Sequence, residues 1–126
     1  MQRKHFYIRN LISFDSQNVQ VIHTDGDVFG MIQAIGQSDF YVNYGKIQPG
    51  CGIDSNCDHT RAHFYFAESI LNNRFVADTC ANYDEVARGN CTIQATGIMM
   101  GGEPPSYGLT GVFALSTNSV SPFGRG

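Results

Sequence analysis

Four cysteines in two close pairs constrain this chain more than any other feature of it: Cys51 with Cys57, and Cys80 with Cys91. An even cysteine count in a chain of 126 residues suits two disulfides and an oxidising compartment, because cytosolic thiols are kept reduced. Asn90-Cys91-Thr92 adds an N-glycosylation acceptor pattern whose middle residue is itself one of the four cysteines. These marks place the chain outside the cell. Its opening residues, MQRKHFYIRN, contradict export: they are polar and charged, with no apolar core and no small-residue cleavage site. The expectation is that a front part carried by the parent protein is missing.

Composition narrows the class. The length is that of about one domain, enough to bury roughly two-thirds of the unfolded surface. A hydrophobic content of 42% with 15% charged residues points to a globular protein. The net charge is −3, and the eight Lys and Arg are scattered, so no basic stripe exists to neutralise phosphates. Nucleic acid is not an expected partner. No apolar stretch approaches the ~20 residues that a membrane-spanning helix needs, and no transmembrane segment is expected.

Residues 19–23 (VQVIH) form a strand by their β-branched side chains, ending at the turn residues Thr24-Asp25-Gly26-Asp27. A second strand is expected at Ser38 to Tyr41 and another at Gly111 to Ser116. Between Thr24 and Cys57 no helical periodicity persists, and loops of that length usually carry function. One helix is clear after Asp58, which would cap it: Ala62, Tyr65, Phe66, Ser69 and Ile70 make one stripe, with Arg61, Glu68 and Asn72 outside it. Asn72-Asn73 stops it, and residues 123–126 read as a frayed end. A strand as apolar as VQVIH wants cover on both faces, and the helices that would supply it are not evident here.

Chemistry concentrates in Cys51 to Arg61, CGIDSNCDHTR, where His59 follows a cysteine by two positions and precedes the helix. A helix start gives an imidazole the rigid support that a general base needs, since a shift of ~1 Å can cost ~100-fold in rate. The residues alone leave other roles open. His59 could be an ordinary hydrogen-bonded side chain, and a zinc site of Cys51, Cys57 and His59 would have only three ligands at unusual spacing. His23, at a strand end, is expected to be hydrogen-bonded structurally. His63 is expected at the surface, and Phe64, Tyr65 and Phe66 in the core.

Taken together, VQVIHTDG (19–26), IGQSDFYVNYGKIQPGC (35–51), CDHTRAHFYFAESI (57–70) and the Cys80/Cys91 pair resemble the animal pancreatic-lipase-like family. That family includes insect secreted lipases, venom phospholipases A1 and yolk-protein relatives. The resemblance runs from about residue 10 to the end. It implies an α/β fold: the C-terminal part of an α/β-hydrolase domain, with a mostly parallel sheet, one clear amphipathic helix and the N-terminal half missing. Residues 1–126 would be a single partial lipase-type domain.

Carried over residue by residue, the resemblance makes His59 the triad histidine. It makes Cys51 and Cys57 the lid cysteines and Cys80 and Cys91 a second pair. Two bridges over loops this short would stabilise by about 2–3 kcal/mol each. Asp15 matches an acidic position that binds calcium in some members, but RNLIS lacks the neighbouring ligands, so no metal and no cofactor is expected.

The departures matter as much. The family's serine stands in a G-x-S-x-G elbow and its aspartate in an Asp-Pro-Ala string, both upstream of the matched region. Neither occurs here, and Gly36-Gln37-Ser38-Asp39-Phe40 lacks the closing glycine, which makes Ser38 structural. Without serine and aspartate the histidine has nothing to deprotonate and no group to fix its tautomer. The implied function is a secreted carboxylic ester hydrolase for acylglycerols or phospholipids, present as a piece that is inactive by itself. The alternative is a non-catalytic, yolk-protein-like or lipid-binding relative. Only five residues separate Cys51 from Cys57, too few to fold a flap over an acyl pocket, which implies an open site. Val42 and Tyr44 stand where the family usually has Pro and Gly.

Overall fold

The computed structural model describes residues 19–126 apart from 27, 29, 31, 94–96 and 107. Asp15 and the opening ten residues lie outside that set. The β-branched run gives strand β1 (Gln20–His23), and the SDFYV run gives β2 (Ser38–Val42). A short 3-10 turn, Asn43–Gly45, leads toward helix α1 (Ser55–Leu71). Then come β3 (Val76–Cys80), α2 (Tyr83–Arg88), β4 (Ile98–Met99) and β5 (Gly111–Leu115).

The strands make one five-stranded sheet in the order β1-β2-β5-β3-β4. β1, β2 and β5 run parallel, pairing Ile22 with Phe40 and Phe40 with Phe113. β3 joins β5 antiparallel and β4 joins β3 antiparallel, so the sheet is mixed, with its parallel part on the β1 side.

Side-chain alternation sends Phe40, Val42, Phe113 and Leu115 to one face of the sheet, where they pack with Ile22, Ala62, Tyr65, Phe75 and Met100. The Phe40 and Phe113 rings stack at 5.0 Å. Truncating either to Ala would cost about 3–5 kcal/mol at so fully buried a site. On the other face Tyr41, Cys80 and Val86 cluster with Tyr83, Val112 and Ala114. This second face corrects the sequence expectation: α2, which was not anticipated, covers part of it. Asn82 caps α2 through Glu85 N, and Gly89 ends it in the left-handed region.

Helix α1 differs from expectation in three ways. It starts at Ser55, capped by Asp54, whose carboxylate accepts from the amides of Asn56 and Cys57 at 3.0 and 3.3 Å. Asp58 is therefore not the cap. It lies inside the first turn and is buried. The buried face also includes Arg61, whereas Ile70 and Phe64 are exposed. Arg61 can be buried because its guanidinium donates to the carbonyls of Pro49 (3.0 Å) and Ser119 (3.4 Å) and lies over the Phe123 ring. Lastly, residues 123–126 are docked, not frayed. Glu68 accepts from Ser121 Oγ and from the amides of Phe123 and Gly124, and Gly126 N donates to Arg74 O.

Candidate active site

Ligand sites in open α/β sheets gather beyond the carboxyl ends of the parallel strands. Here those ends are His23, Val42 and Leu115, and the loop leaving β2 returns to them through one side chain, Gln48. Its amide nitrogen donates to Thr24 O (3.0 Å) and Val42 O (2.9 Å), tying the ends of β1 and β2 together. Its amide oxygen accepts from Asn43 Nδ2 (2.7 Å) and Tyr65 Oη (2.9 Å). Its backbone N–H donates to Asp58 Oδ1 at 2.7 Å. Every polar atom of a 1% exposed side chain is thus used.

His59 sits next to Asp58 in α1 and is itself 8% exposed. Its place is fixed from three sides: by the Asp54 cap, by the Asp58–Gln48 bond, and by the Cys51–Cys57 disulfide, which closes the loop just before it with Cα atoms 5.5 Å apart. Cys57 is consequently not free to ligate zinc. Burial pushes the Asp58 carboxyl up. The amide of Gln48 and the charge of Arg61 pull it back only in part, against a further push from Asp54.

Beside this helix start lies a cavity of about 250 Å³ lined by Asp25, Val28, Lys46, Ile47, Gly52, Ile53, Ser55 and Asp58. Its rim is apolar and open: Val28, Ile47 and Ile53 are all exposed, Ile53 completely. Gly52 and Ile53 belong to the short loop between the bridged cysteines, which contributes to the wall of this cavity.

An imidazole–carboxylate pair lies on the other face of the sheet. His23 Nε2 is 2.9 Å from Asp39 Oδ1, both side chains are buried, and the His23 ring stacks on Tyr41 at 4.2 Å. Asp39 also accepts from the amides of Ile35 and Gly36. Burial, with the Asp39 charge second, drives the Tyr41 hydroxyl far up, and it donates to Ile32 O. Ser38 cannot complete a triad with this pair. It precedes Asp39 on β2, and strand alternation puts it on the opposite face, 2% exposed. The glycine of that false elbow has a steric reason: a Cβ at Gly36 would lie 2.7 Å from Val21 Cγ2.

The structure therefore brings together Cys51, Cys57 and His59 and keeps Cys80–Cys91, its own bridge, with α2. His63 is exposed. Sequence reasoning missed Gln48 and Arg61, whose partners are mostly backbone carbonyls or side chains distant in the chain. Among the described residues no cluster of three or more His, Cys, Asp or Glu could hold a metal, and no helix is long and apolar enough to cross a membrane.

Comparison with known proteins agrees with this architecture. The family model described as Lipase matches residues 4–123. A phospholipase A1 of Vespula squamosa is 36% identical over 116 residues, covering 90% of this chain and 38% of that protein. Pancreatic triacylglycerol lipase of Oryctolagus cuniculus is 33% identical over 142 residues, covering 88% and 30%. Pancreatic lipase-related protein 2 of Cavia porcellus is 42% identical over 84 residues, covering 61% and 19%. The chain thus spans well under half the length of these relatives. With its α/β sheet, its two disulfides and a family match over nearly its whole length, the chain belongs to the lipase family.

Proposed function

We propose that this chain is the histidine-bearing part of a secreted carboxylic ester hydrolase acting on acylglycerols or phospholipids, with His59 as general base. The observation that carries it is the housing of His59, a buried residue in the first turns of a helix whose start is tied through Asp58 and Gln48 to the carboxyl ends of β1 and β2. Similarity to proteins named phospholipase A1 and triacylglycerol lipase supports the ester and lipid classes. His59 would take the proton of a serine hydroxyl as it attacks the acyl carbonyl, then return it to the leaving alcohol. That serine and the orienting aspartate would come from upstream sequence, since these 126 residues contain no G-x-S-x-G. By itself the chain is expected to show no ester hydrolysis.

The test is the reading frame upstream of Met1. It should encode an export signal, a G-x-S-x-G elbow and an Asp-Pro-Ala string. In that longer protein His59→Asn should lower kcat by about a thousandfold or more. An unchanged rate, or an upstream frame without the elbow, refutes the assignment.

The site is also proposed to be open, because Gly52-Ile53-Asp54-Ser55-Asn56 cannot form a flap. Rate against substrate concentration should then rise smoothly through the critical micelle concentration. A sharp jump there would contradict an open site.

A further inference from the structure

Asn90-Cys91-Thr92 is the single Asn-x-Ser/Thr pattern in the sequence, and the ester chemistry gives it no part. Its surroundings show what it can do. Asn90 follows Gly89, the left-handed residue that ends α2, and its backbone N–H closes the helix end on Glu85 O at 2.9 Å. The Asn90 and Thr92 side chains are both exposed, so a large polar group on Asn90 would displace no packed side chain. The backbone is another matter. Cys91 is bridged to Cys80, and Thr92 is paired with Thr79 in both directions, N–H to O at 2.7 and 3.1 Å. Three consecutive residues are thus fixed by a helix cap, a disulfide and a strand bridge.

We infer that Asn90 is an N-glycosylation site, modified while residues 80–91 are still an open loop and before the Cys80–Cys91 bridge closes. The donor class is an oligosaccharide carried on a lipid diphosphate. A bond forms between Asn90 Nδ2 and the anomeric carbon, the bond from that carbon to the diphosphate oxygen breaks, and one Nδ2 proton is lost. Recognition of the asparagine amide together with the threonine hydroxyl requires the short segment between them to bend freely, which the closed bridge and the Thr79 pairing prevent. Once attached, the sugar stands on the exposed turn after α2 and is compatible with the finished fold. Closure of the bridge and transfer of the sugar are therefore in competition.

The experiment translates the full chain, behind a cleavable export leader, into microsomes. Asn90 occupancy is read by peptide mass after enzymatic deglycosylation in heavy-oxygen water. The leader supplies translocation, so the outcome does not depend on the proposed hydrolase activity. Wild type is expected to be partly occupied. Occupancy should rise toward completion with dithiothreitol present or in Cys80→Ser, and be lost entirely in Thr92→Ala. An unmodified Asn90 even under dithiothreitol and in Cys80→Ser overturns the site. Equal occupancy with and without the bridge overturns the order of events.

Discussion

Glu68→Gln should release the end of the chain from helix α1. The Glu68 carboxylate accepts three hydrogen bonds, from Ser121 Oγ at 2.9 Å and from the amides of Phe123 and Gly124 at 2.8 Å each. Bonds to a charged acceptor contribute about 1.5–3 kcal/mol each, but this carboxylate is partly exposed and glutamine keeps one acceptor oxygen. A net loss of about 2 kcal/mol follows, equivalent to roughly a 30-fold drop in protection of the two amides. Hydrogen exchange is the suitable assay, since it reads the opening of this segment without requiring the whole chain to unfold cooperatively.

The pH dependence gives an internal check. Burial pushes the Glu68 carboxyl up, but the bonds from Gly124, Phe123 and Ser121 outweigh it and hold the group below the ordinary glutamate range. A carboxyl depressed in the folded state contributes its full stability above the unfolded pKa and loses it as pH falls through the folded value. Wild type and Glu68→Gln should therefore differ most near pH 7, and the gap should close as pH falls below the ordinary glutamate range. Equal protection at neutral pH, or a gap that persists in acid, would refute the view that ionised Glu68 holds the tail.

Two further substitutions probe the loop after β2. Tyr44 adopts φ 67°, a left-handed conformation that costs a side-chain-bearing residue about 1–2 kcal/mol, partly offset by the greater unfolded-state freedom of glycine. Tyr44→Gly should stabilise the loop by about 0.5–1 kcal/mol, seen as slower exchange of the Gly26 amide, which donates to Gly45 O at 2.8 Å; faster exchange would contradict it. Gln48→Ala strips partners from Thr24 O, Val42 O, Asn43 and Tyr65 at once, and should cost about 3–5 kcal/mol by urea denaturation. In the longer protein it should also lower kcat more than it changes KM, and a purely KM effect would show that His59 does not depend on it.

What the sequence revealed, it revealed through periodicity. VQVIH, SDFYV and GVFAL are runs apolar enough to be strands wherever they sit, and α1 is long enough for its stripe to repeat. The start of α1 was placed one turn late because Asp58 is a competent cap by residue type, and so is Asp54, which caps the helix. The disulfide loop and the Gln48 amide decide between them, and neither is visible as a local preference. β3, reading VADTC, and the one-turn-and-a-half helix YDEVAR are too short for a period to show, although Asn82 and Gly89 mark the ends of the latter. Arg61 illustrates a different limit. Its burial depends on carbonyls of Pro49 and Ser119, which no pattern of side-chain types encodes. At the candidate site, the Cys51–Cys57 bridge was legible through resemblance, whereas the tie that Gln48 makes between the strand ends and α1 follows from contacts distant in the chain.

The housing of His59 also has a kinetic meaning. Its closing contacts, Gln48 with Asp58, Cys51 with Cys57 and Asp54 with Cys57, all span ten residues or fewer. The sheet beneath it is the opposite case: β2 cannot meet β5 until Ser38 finds Gly111 across most of the chain. Loops of about ten residues close in roughly 10–100 ns, whereas distant strands must first overcome a much larger search. The non-covalent frame around the imidazole can therefore assemble early in folding, as a local nucleus onto which the long-range sheet is later built.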